Sequence, residues 1–128
     1  ATQNEVQLDD AKKIVANGVK FYIEVSNMPT TNEGVEYLQA NNVVVAPSKA
    51  VNAGGVATSG LEMSQNSARL AWTAKEVDDR LHEIMINIFN ASYDAAEKYG
   101  KKGNLVMGAN IAGFLKVADA MKWQGINY

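Results

Sequence analysis

The sequence predicts an α/β fold in which a parallel βαβ unit is followed by long helices towards the C-terminal end. Two runs rich in β-branched residues, 19–25 and 43–46, flank a helical pattern within about thirty residues, the usual length of a βαβ unit. After Trp72, apolar residues recur at spacings of three and four, which is the period of an α-helix. We therefore expect the two runs to pair side by side as parallel strands.

The first predicted element is a short helix over residues 8–17. Asp9 or Asp10 is the predicted N-cap, and Gly18 supplies the left-handed stop. Its predicted inward face consists of three apolar residues at helical spacing: Ala11, Ile14 and Val15. The first strand follows over residues 19–25.

The helix between the two strands is predicted from its start signal. Pro29 favours an extended conformation for Met28, and Thr30 with Glu33 three residues later forms a capping-box pattern with Thr30 as N-cap. The predicted inward residues are Val35, Tyr37 and Leu38. The second strand over residues 43–46 then ends at Pro47.

A long helix is predicted to start at a second capping box, formed by Thr73 and Glu76. Its main apolar face is predicted to be buried, and consists of Val77, Leu81, Ile84, Ile88, Ala91 and Ala95. A second stripe beside it consists of Met85, Phe89, Ser92, Ala96 and Tyr99. The two stripes predict that other protein covers more than one side of this helix, which ends in the turn at residues 100–103.

The last predicted helix spans residues 105–123. Its apolar pattern consists of Met107, Ile111, Phe114, Ala118 and Met121. Gly108 and Gly113 interrupt it, and a glycine inside a helix costs about 1 kcal/mol relative to alanine. Both glycines therefore predict close approach of another helix.

Composition limits the function classes. The 128 residues suit one domain; 47% are apolar and 20% charged, and the formal net charge of −2 favours neither a nucleic-acid nor a membrane partner. Cysteine is absent, so we expect a reducing, cytoplasmic location. The first residues read like the exit from a strand, which predicts that the chain begins within a larger protein; processing or trimming is the alternative.

The candidate site lies in residues 46–62 and in the loop after the first strand. Ligands of parallel α/β sheets bind at the carboxyl ends of the strands, where Asn27 and Asn52 offer amide donors and acceptors. A helix starting near Asn52 places five residues on one face: Asn52, Val56, Ser59, Met63 and Asn66. Gly54 and Gly55 would allow close approach of a ligand, and first-turn N–H groups suit a carboxylate or phosphate. Alternatively, these small residues serve only to pack the helix against a sheet.

The residue types exclude several kinds of catalytic site. No G-x-G-x-x-G fingerprint and no metal-ligand cluster is present in the sequence. His82 is the only histidine, and no base is placed to activate Ser59 as a nucleophile, so Ser59 is predicted to be a hydrogen-bond donor. Lys49 offers one charge for an anion. The pattern indicates a binding surface without catalytic residues of its own.

Several motifs in order resemble the C-terminal part of bacterial hexameric glutamate dehydrogenase, of the Glu/Leu/Phe/Val dehydrogenase family. They are Ala1-Thr2-Gln3-Asn4, Ser26-Asn27-Met28-Pro29-Thr30-Thr31, Ala46-Pro47 with Lys49, Asn52-Ala53-Gly54-Gly55-Val56, Ser59 with Glu62, and Gly108-Ala109-Asn110-Ile111-Ala112-Gly113-Phe114. The resemblance implies a partial Rossmann-like parallel sheet, with residues 1–58 as the second half of a dinucleotide-binding domain. Residues 59–128 would form the helical segment that packs back towards the substrate domain.

The resemblance also implies an activity and site residues. The family converts L-glutamate to 2-oxoglutarate and ammonia and passes hydride to NAD or NADP. By motif, Ser59 corresponds to the hydroxyl that binds the substrate's side-chain carboxylate, and Val56 to the apolar contact beneath its carbon chain. Asn27 and Asn52 correspond to amides around the nicotinamide, which the backbone of Ala1 and Thr2 would also pass.

The departures from the family pattern are informative too. The family's catalytic lysine and aspartate and its fingerprint glycines lie outside this sequence, so we expect the isolated chain to be inactive. The resemblance also implies a homo-oligomer, which is a hexamer in the intact family. Many relatives have Glu-Gly-Ala-Asn where this chain has Glu24-Val25-Ser26-Asn27. One alternative is a branched-chain or aromatic amino-acid dehydrogenase, against which Ser59 argues. Another is a non-catalytic module that self-associates through exposed apolar faces.

Overall fold

The computed structural model describes residues 2–125, in which six helices and two short strands alternate at first and then give way to helices alone. In chain order they are α1 (Leu8–Ala16), β1 (Phe21–Ile23), α2 (Asn32–Ala40), β2 (Val44–Ala46), α3 (Ser48–Val51), α4 (Ala53–Ala68), α5 (Ala74–Lys98) and α6 (Leu105–Gln124). None of the helices described is long and apolar enough to cross a membrane. The predicted α/β order is confirmed.

The two strands form a parallel pair, as the sequence predicts. Phe21 lies opposite Val44 and Ile23 opposite Ala46. One more ladder bond follows, from the Glu24 N–H to the Ala46 carbonyl at 3.0 Å. Both strands are shorter than predicted, because pairing stops where the chain turns into the loops after Glu24 and before Ser48.

The hydrophobic core lies between one face of this sheet and helices α1 and α2. Its buried members are Ala11, Leu38, Val43 and Val45, and Leu38 is fully buried. Partly buried residues that pack against them include Ile14, Val15, Val35 and Tyr37. The inward residues predicted for both helices are thus confirmed, because each lies on the helix face that meets the sheet.

Helix α1 does not begin with the predicted cap. Its N-cap is Gln7, whose backbone N–H donates to Asp10 Oδ2 at 3.2 Å in a capping box. The prediction of Asp9 or Asp10 as N-cap was wrong because Asp10 serves as the third helical residue. Gly18 has φ +74°, which confirms the left-handed stop.

Helix α2 begins one residue later than predicted. Thr31 is the N-cap and its Oγ1 accepts from the Gly34 N–H at 3.3 Å, so the predicted role of Thr30 was wrong. Thr30 is occupied otherwise: it forms a parallel bridge with Val6, and its hydroxyl is 2.9 Å from the Tyr22 hydroxyl. These contacts hold Thr30 in an extended backbone conformation, so Thr31 is the N-cap and helix α2 begins at Asn32.

The long helix α5 starts as predicted. Thr73 Oγ1 accepts from the Glu76 N–H at 3.3 Å, and the Thr73 N–H donates to Glu76 Oε2 at 2.7 Å. Gly100 and Gly103 have positive φ and form the predicted turn at its end.

Helix α6 packs on α5 through Gly108. An added Cβ there would lie 1.9 Å from the Ser92 carbonyl oxygen, which confirms the predicted close approach. The same prediction for Gly113 was wrong for this part of the chain, since nothing lies within 4 Å of a Cβ at that position.

Ala91 was also wrongly predicted as buried, because α6 lies against the stripe of Ser92 and Ala96 instead. Helix α6 meets α5 through the face of Gly108, and three residues of its predicted apolar pattern are exposed: Met107, Phe114 and Met121.

The sheet face opposite the core is largely uncovered. Its exposed apolar residues are Phe21, Ile23, Val25 and Val44. Parallel sheets are normally covered on both faces, so an exposed apolar face on a parallel strand pair is unusual. Self-association through it stays a prediction.

The domain division predicted between residues 58 and 59 falls within α4, which runs without interruption from Ala53 to Ala68. One helix therefore spans both predicted parts, and the division stays a prediction.

Candidate functional site

The carboxyl ends of β1 and β2 bring the two predicted amide side chains together. Asn27 lies in the loop after β1, and Asn52 lies between α3 and α4. The Asn52 Nδ2 atom donates to Asn27 Oδ1 at 2.5 Å. The role of this amide pair in binding stays a prediction, but its position at the ligand-binding edge of the sheet is the one expected.

The contact between the two amides leaves one donor group and one acceptor that it does not use. An asparagine side chain has an NH₂ group with two donors and an oxygen that accepts. The contact uses the Asn27 oxygen and one N–H of Asn52, so Asn27 Nδ2 and Asn52 Oδ1 remain for a ligand. A donor group and an acceptor are complementary to a carboxamide, whose oxygen accepts and whose NH₂ group donates.

The start of α4 differs from the predicted anion-binding helix start. The helical turn α3 already begins at Ser48, and only Asn52 separates it from α4. The first turn of α4 is thus preceded by another turn instead of being open. Asn52 makes no side-chain hydrogen bond to the first turn of α4, and its amide donates to Asn27 instead. Neither glycine is required by a close contact: a Cβ on Gly54 would meet the Met85 sulfur at 3.7 Å, and one on Gly55 would meet nothing within 4 Å.

Val56 and Ser59 lie on the exposed surface of α4. They follow Asn52 at four and seven residues, so the three share one face, and Ser59 lies about 10 Å along the helix from Asn52. Val56 is 73% exposed. The Ser59 Oγ donates to the Gly55 carbonyl at 3.3 Å, a long bond that a better acceptor could replace by rotation of the hydroxyl.

The N-terminal segment approaches the same edge. The Asn4 N–H donates to the Met28 carbonyl at 2.9 Å, and the Val6 N–H donates to the Pro29 carbonyl at 2.8 Å. Thr2, a predicted cofactor residue, lies at the start of this segment, and its N–H donates to Glu5 Oε2 at 3.0 Å. Ala1, the other predicted backbone contact, lies outside the described residues.

Met28 shows that the predicted extended conformation before Pro29 was wrong. Its φ is +46°, a left-handed value that a residue with a side chain seldom adopts. Two tertiary hydrogen bonds hold it there: the Asn4 bond to its carbonyl, and its own N–H to Ser48 Oγ at 3.4 Å.

Sequence reasoning missed two buried polar residues beside the amide pair. Glu24 is 7% exposed and Ser48 is 6% exposed, and the Ser48 N–H donates to Glu24 Oε2 at 3.2 Å. The signal that could have found Glu24 is an acidic residue at an inward position of a strand, since Tyr22 and Glu24 share the face that meets the core.

A groove of about 440 Å³ lies next to these residues and is lined in part by Asn4, Glu24, Met28, Ser48 and Lys49. The Asn27–Asn52 pair, Val56 and Ser59 do not line it, so the predicted site residues form an open surface beside the groove.

Lys49, the one candidate charge, is exposed, and its Nζ donates to Asn110 Oδ1. Because Asn110 belongs to α6, this contact joins the last helix to the site. Asn110 lies in a motif that the resemblance also marked.

The remaining candidates for chemistry do not join the site. His82 is exposed on α5. Across residues 2–125, no group of three or more His, Cys, Asp or Glu side chains is placed to hold a metal ion. The described residues at the site thus present hydrogen-bonding and apolar groups.

Fold and site together define a class. A parallel βαβ unit with paired amides at its strand ends, followed by a helix with an open small-residue face, is an α/β architecture whose strand ends are the usual place for a ligand.

Comparison with known proteins narrows this class. Residues 1–125 match the family model described as Glutamate/Leucine/Phenylalanine/Valine dehydrogenase, and the chain belongs to this family. It is 67% identical over 127 residues to the NAD-specific glutamate dehydrogenase of Clostridium symbiosum and 57% identical over 126 residues to the NADP-specific enzyme of Escherichia coli K12. Each match covers 98% of this chain, which spans 28% of the length of these relatives.

Solved structures agree with the fold. A solved structure of a glutamate dehydrogenase superposes with a TM-score of 0.95 at 65% identity, covering 100% of this chain and 29% of that chain. The Plasmodium falciparum glutamate dehydrogenase superposes with a TM-score of 0.94 at 52% identity, covering 99% of this chain and 27% of that chain. The family resemblance found in the sequence is therefore confirmed.

Proposed function

We propose that this chain forms one wall of the cofactor and substrate site of an NAD(P)-dependent glutamate dehydrogenase. The parent enzyme converts L-glutamate to 2-oxoglutarate and ammonia, and the chain is part of its C-terminal portion, including half of a Rossmann-like domain. Family membership supports this proposal, and relatives named as NAD-specific and as NADP-specific are both similar to this chain. The observation that carries it is the Asn27–Asn52 pair at the strand ends, with Ser59 on the same helix face as Asn52.

The proposed binding roles follow from the chemistry of these side chains. Asn27 Nδ2 and Asn52 Oδ1 bind the carboxamide of the nicotinamide ring, whose acceptor and donor they complement. When bound, NAD or NADP accepts the hydride from the substrate. Ser59 donates to the side-chain carboxylate of glutamate, and the exposed Val56 contacts its methylene groups. The backbone of Thr2, and by the family resemblance that of Ala1, is proposed to border the nicotinamide.

The catalytic lysine and aspartate of the family are proposed to come from another part of the parent. Inside residues 2–125, no histidine, lysine or carboxylate hydrogen-bonds to Ser59, whose described contact is to the Gly55 carbonyl. The isolated chain is therefore proposed to be inactive. Any turnover of glutamate by this chain alone that disappears on Ser59→Ala would contradict this.

Specificity for glutamate depends on Ser59. In a branched-chain or aromatic amino-acid dehydrogenase, a hydroxyl in the side-chain pocket would face an apolar substrate and lose its hydrogen bond. The sequence matches reported above are all to glutamate dehydrogenases, which favours glutamate as the substrate.

We also propose that the parent is a homo-hexamer. The uncovered face around Phe21, Ile23 and Val44 supports burial of this surface in the parent, against either its own remaining domain or another subunit.

The test is Ser59→Ala in the full-length parent. A hydrogen bond to a charged group contributes about 1.5–3 kcal/mol, so the KM for glutamate should rise about 10- to 100-fold while the KM for the cofactor stays within about twofold. Thr58→Ala is the matched control, because Thr58 is the neighbouring exposed hydroxyl and donates to the Gly54 carbonyl at 2.9 Å. An unchanged KM for glutamate in Ser59→Ala would refute the assignment.

A further inference from the structure

Two buried polar residues connect the loops that carry the amide pair. Glu24 ends the β1 ladder, and Ser48 begins the helical turn that leads to Asn52. Both are at least nine-tenths buried, and the Ser48 N–H donates to Glu24 Oε2 at 3.2 Å. A buried polar group is retained only with a partner, so this contact fixes the start of α3 against the end of β1.

The hydroxyl of Ser48 reaches the other loop. Its Oγ accepts from the Met28 N–H at 3.4 Å, at the residue with φ +46°. A non-glycine residue adopts this conformation only when its surroundings hold it there. The Met28 side chain is 56% exposed, so the backbone bonds and not side-chain packing supply that constraint.

The direction of Asn27 depends on this constraint. Asn27 immediately precedes Met28, so a change in the Met28 backbone would turn the Asn27 amide away from Asn52. Ser48 thus acts on both members of the pair, since its hydroxyl holds the Met28 loop and its backbone begins the turn that ends at Asn52.

We propose that Ser48 and Glu24 are positioning residues that hold the Asn27–Asn52 pair in the geometry required for the nicotinamide carboxamide. This inference rests on the proposed function of that pair. The chain of contacts is Glu24 carboxylate to Ser48 N–H, then Ser48 hydroxyl to Met28 N–H, and then the covalent link to Asn27. Neither Glu24 nor Ser48 is required to touch the cofactor.

The first experiment measures the Kd of NAD(H) or NADP(H), whichever the full-length parent uses, by quenching of protein fluorescence. Ser48→Ala removes the acceptor of the Met28 N–H and should raise this Kd about 3- to 10-fold, while the KM for glutamate changes less than about twofold. Ser64→Ala is the matched control, because its hydroxyl donates to a carbonyl of its own helix at 2.8 Å on the exposed side of α4. A folded Ser48→Ala enzyme with wild-type cofactor affinity would overturn the proposal.

The Glu24 part of the chain has its own conservative variant. Glu24→Gln keeps an oxygen that can accept from the Ser48 N–H, so its cofactor Kd should stay within about twofold of wild type, whereas Glu24→Ala should behave like Ser48→Ala. If Glu24→Ala does not fold, Glu24→Gln and Ser48→Thr, which both keep the required oxygen, still test the idea. A loss of affinity in both of these, equal to that of Ser48→Ala, would overturn it.

A double-mutant cycle separates positioning from a general structural effect. Asn52→Ala should weaken cofactor binding by itself, and Ser48→Ala should add little to it, since Ser48 acts through the pair that is already broken. Fully additive effects would overturn the positioning role. If Asn52→Ala leaves the cofactor Kd unchanged, the proposed function of the pair fails instead.

Discussion

Gly108 offers the sharpest test of how α5 and α6 are held together. Gly108→Ala adds one methyl group whose carbon would lie 1.9 Å from the Ser92 carbonyl oxygen and 3.0 Å from the Ala96 Cβ. The first contact is with backbone, which cannot rotate away as a side chain can. The helices must therefore separate by about 1 Å along their contact, in an interior that is otherwise packed closely.

The expected cost follows from two opposing effects. Overpacking of this kind typically lowers the free energy of unfolding by about 1–3 kcal/mol and occasionally by more. Replacing glycine by alanine inside a helix returns about 1 kcal/mol. Because the clash is with a rigid carbonyl, we expect the upper end of the first range and a net loss of about 2 kcal/mol.

The assay is urea unfolding of this chain followed by circular dichroism, with Gly113→Ala as the matched control. Gly113 is also inside α6, but nothing lies within 4 Å of its added Cβ, so this variant should gain up to about 1 kcal/mol from helix propensity alone. With a slope of about 2 kcal/mol per molar urea, the two midpoints should move in opposite directions, by about 1 M downwards and about 0.5 M upwards. A Gly108→Ala variant as stable as wild type would refute the close approach.

The other predictions concern a hydrogen bond and a cap. Tyr22→Phe should lower the free energy of unfolding by about 1 kcal/mol, since the hydroxyl of the buried Thr30 loses its partner at 2.9 Å. Tyr99→Phe, at the exposed end of α5, is the control, and equal effects of the two variants would contradict this. The Thr73 N–H and hydroxyl hold the pKa of the Glu76 carboxyl below its ordinary value. The unfolded chain therefore binds this proton at a higher pH, so the contribution is present above about pH 4.5 and is lost as the pH falls further. Stability measured from pH 6 to pH 3 should fall less steeply in Glu76→Gln, and identical slopes would count against the cap.

Local patterns predicted the elements of this fold well. The two β-branched runs became the parallel strands β1 and β2, and the Thr73 capping box began α5 as expected. These features depend on interactions within a few residues, such as side-chain branching and hydrogen bonds to the first helical turn. Strand propensity and helix capping can therefore be predicted from a few neighbouring residues, whatever the rest of the chain does.

The errors occurred where distant contacts compete with local preference. Thr30 has the spacing of an N-cap, but its hydroxyl is held by Tyr22 and its backbone pairs with Val6, so the helix starts at the next residue. Met28 precedes a proline and should be extended, but contacts to Asn4 and Ser48 hold it in a left-handed conformation. In both places a tertiary hydrogen bond outweighs an intrinsic preference.

The site divides in the same way. Asn27 and Asn52 were predictable because topology alone brings the carboxyl ends of parallel strands together. Glu24 and Ser48 were not, because their importance depends on burial and on one contact between residues 24 positions apart.

The sequence by itself determined the order of the elements, the family, and the face that Asn52, Val56 and Ser59 share, because each depends on residue types at short spacings. Only the tertiary structure decided that the Asn52 amide points to Asn27, that Gly108 is a contact and Gly113 is not, and that Ser48 holds Met28. The physical reason is that helical and strand periods define which residues share a face, whereas the packing of one element on another defines what that face meets.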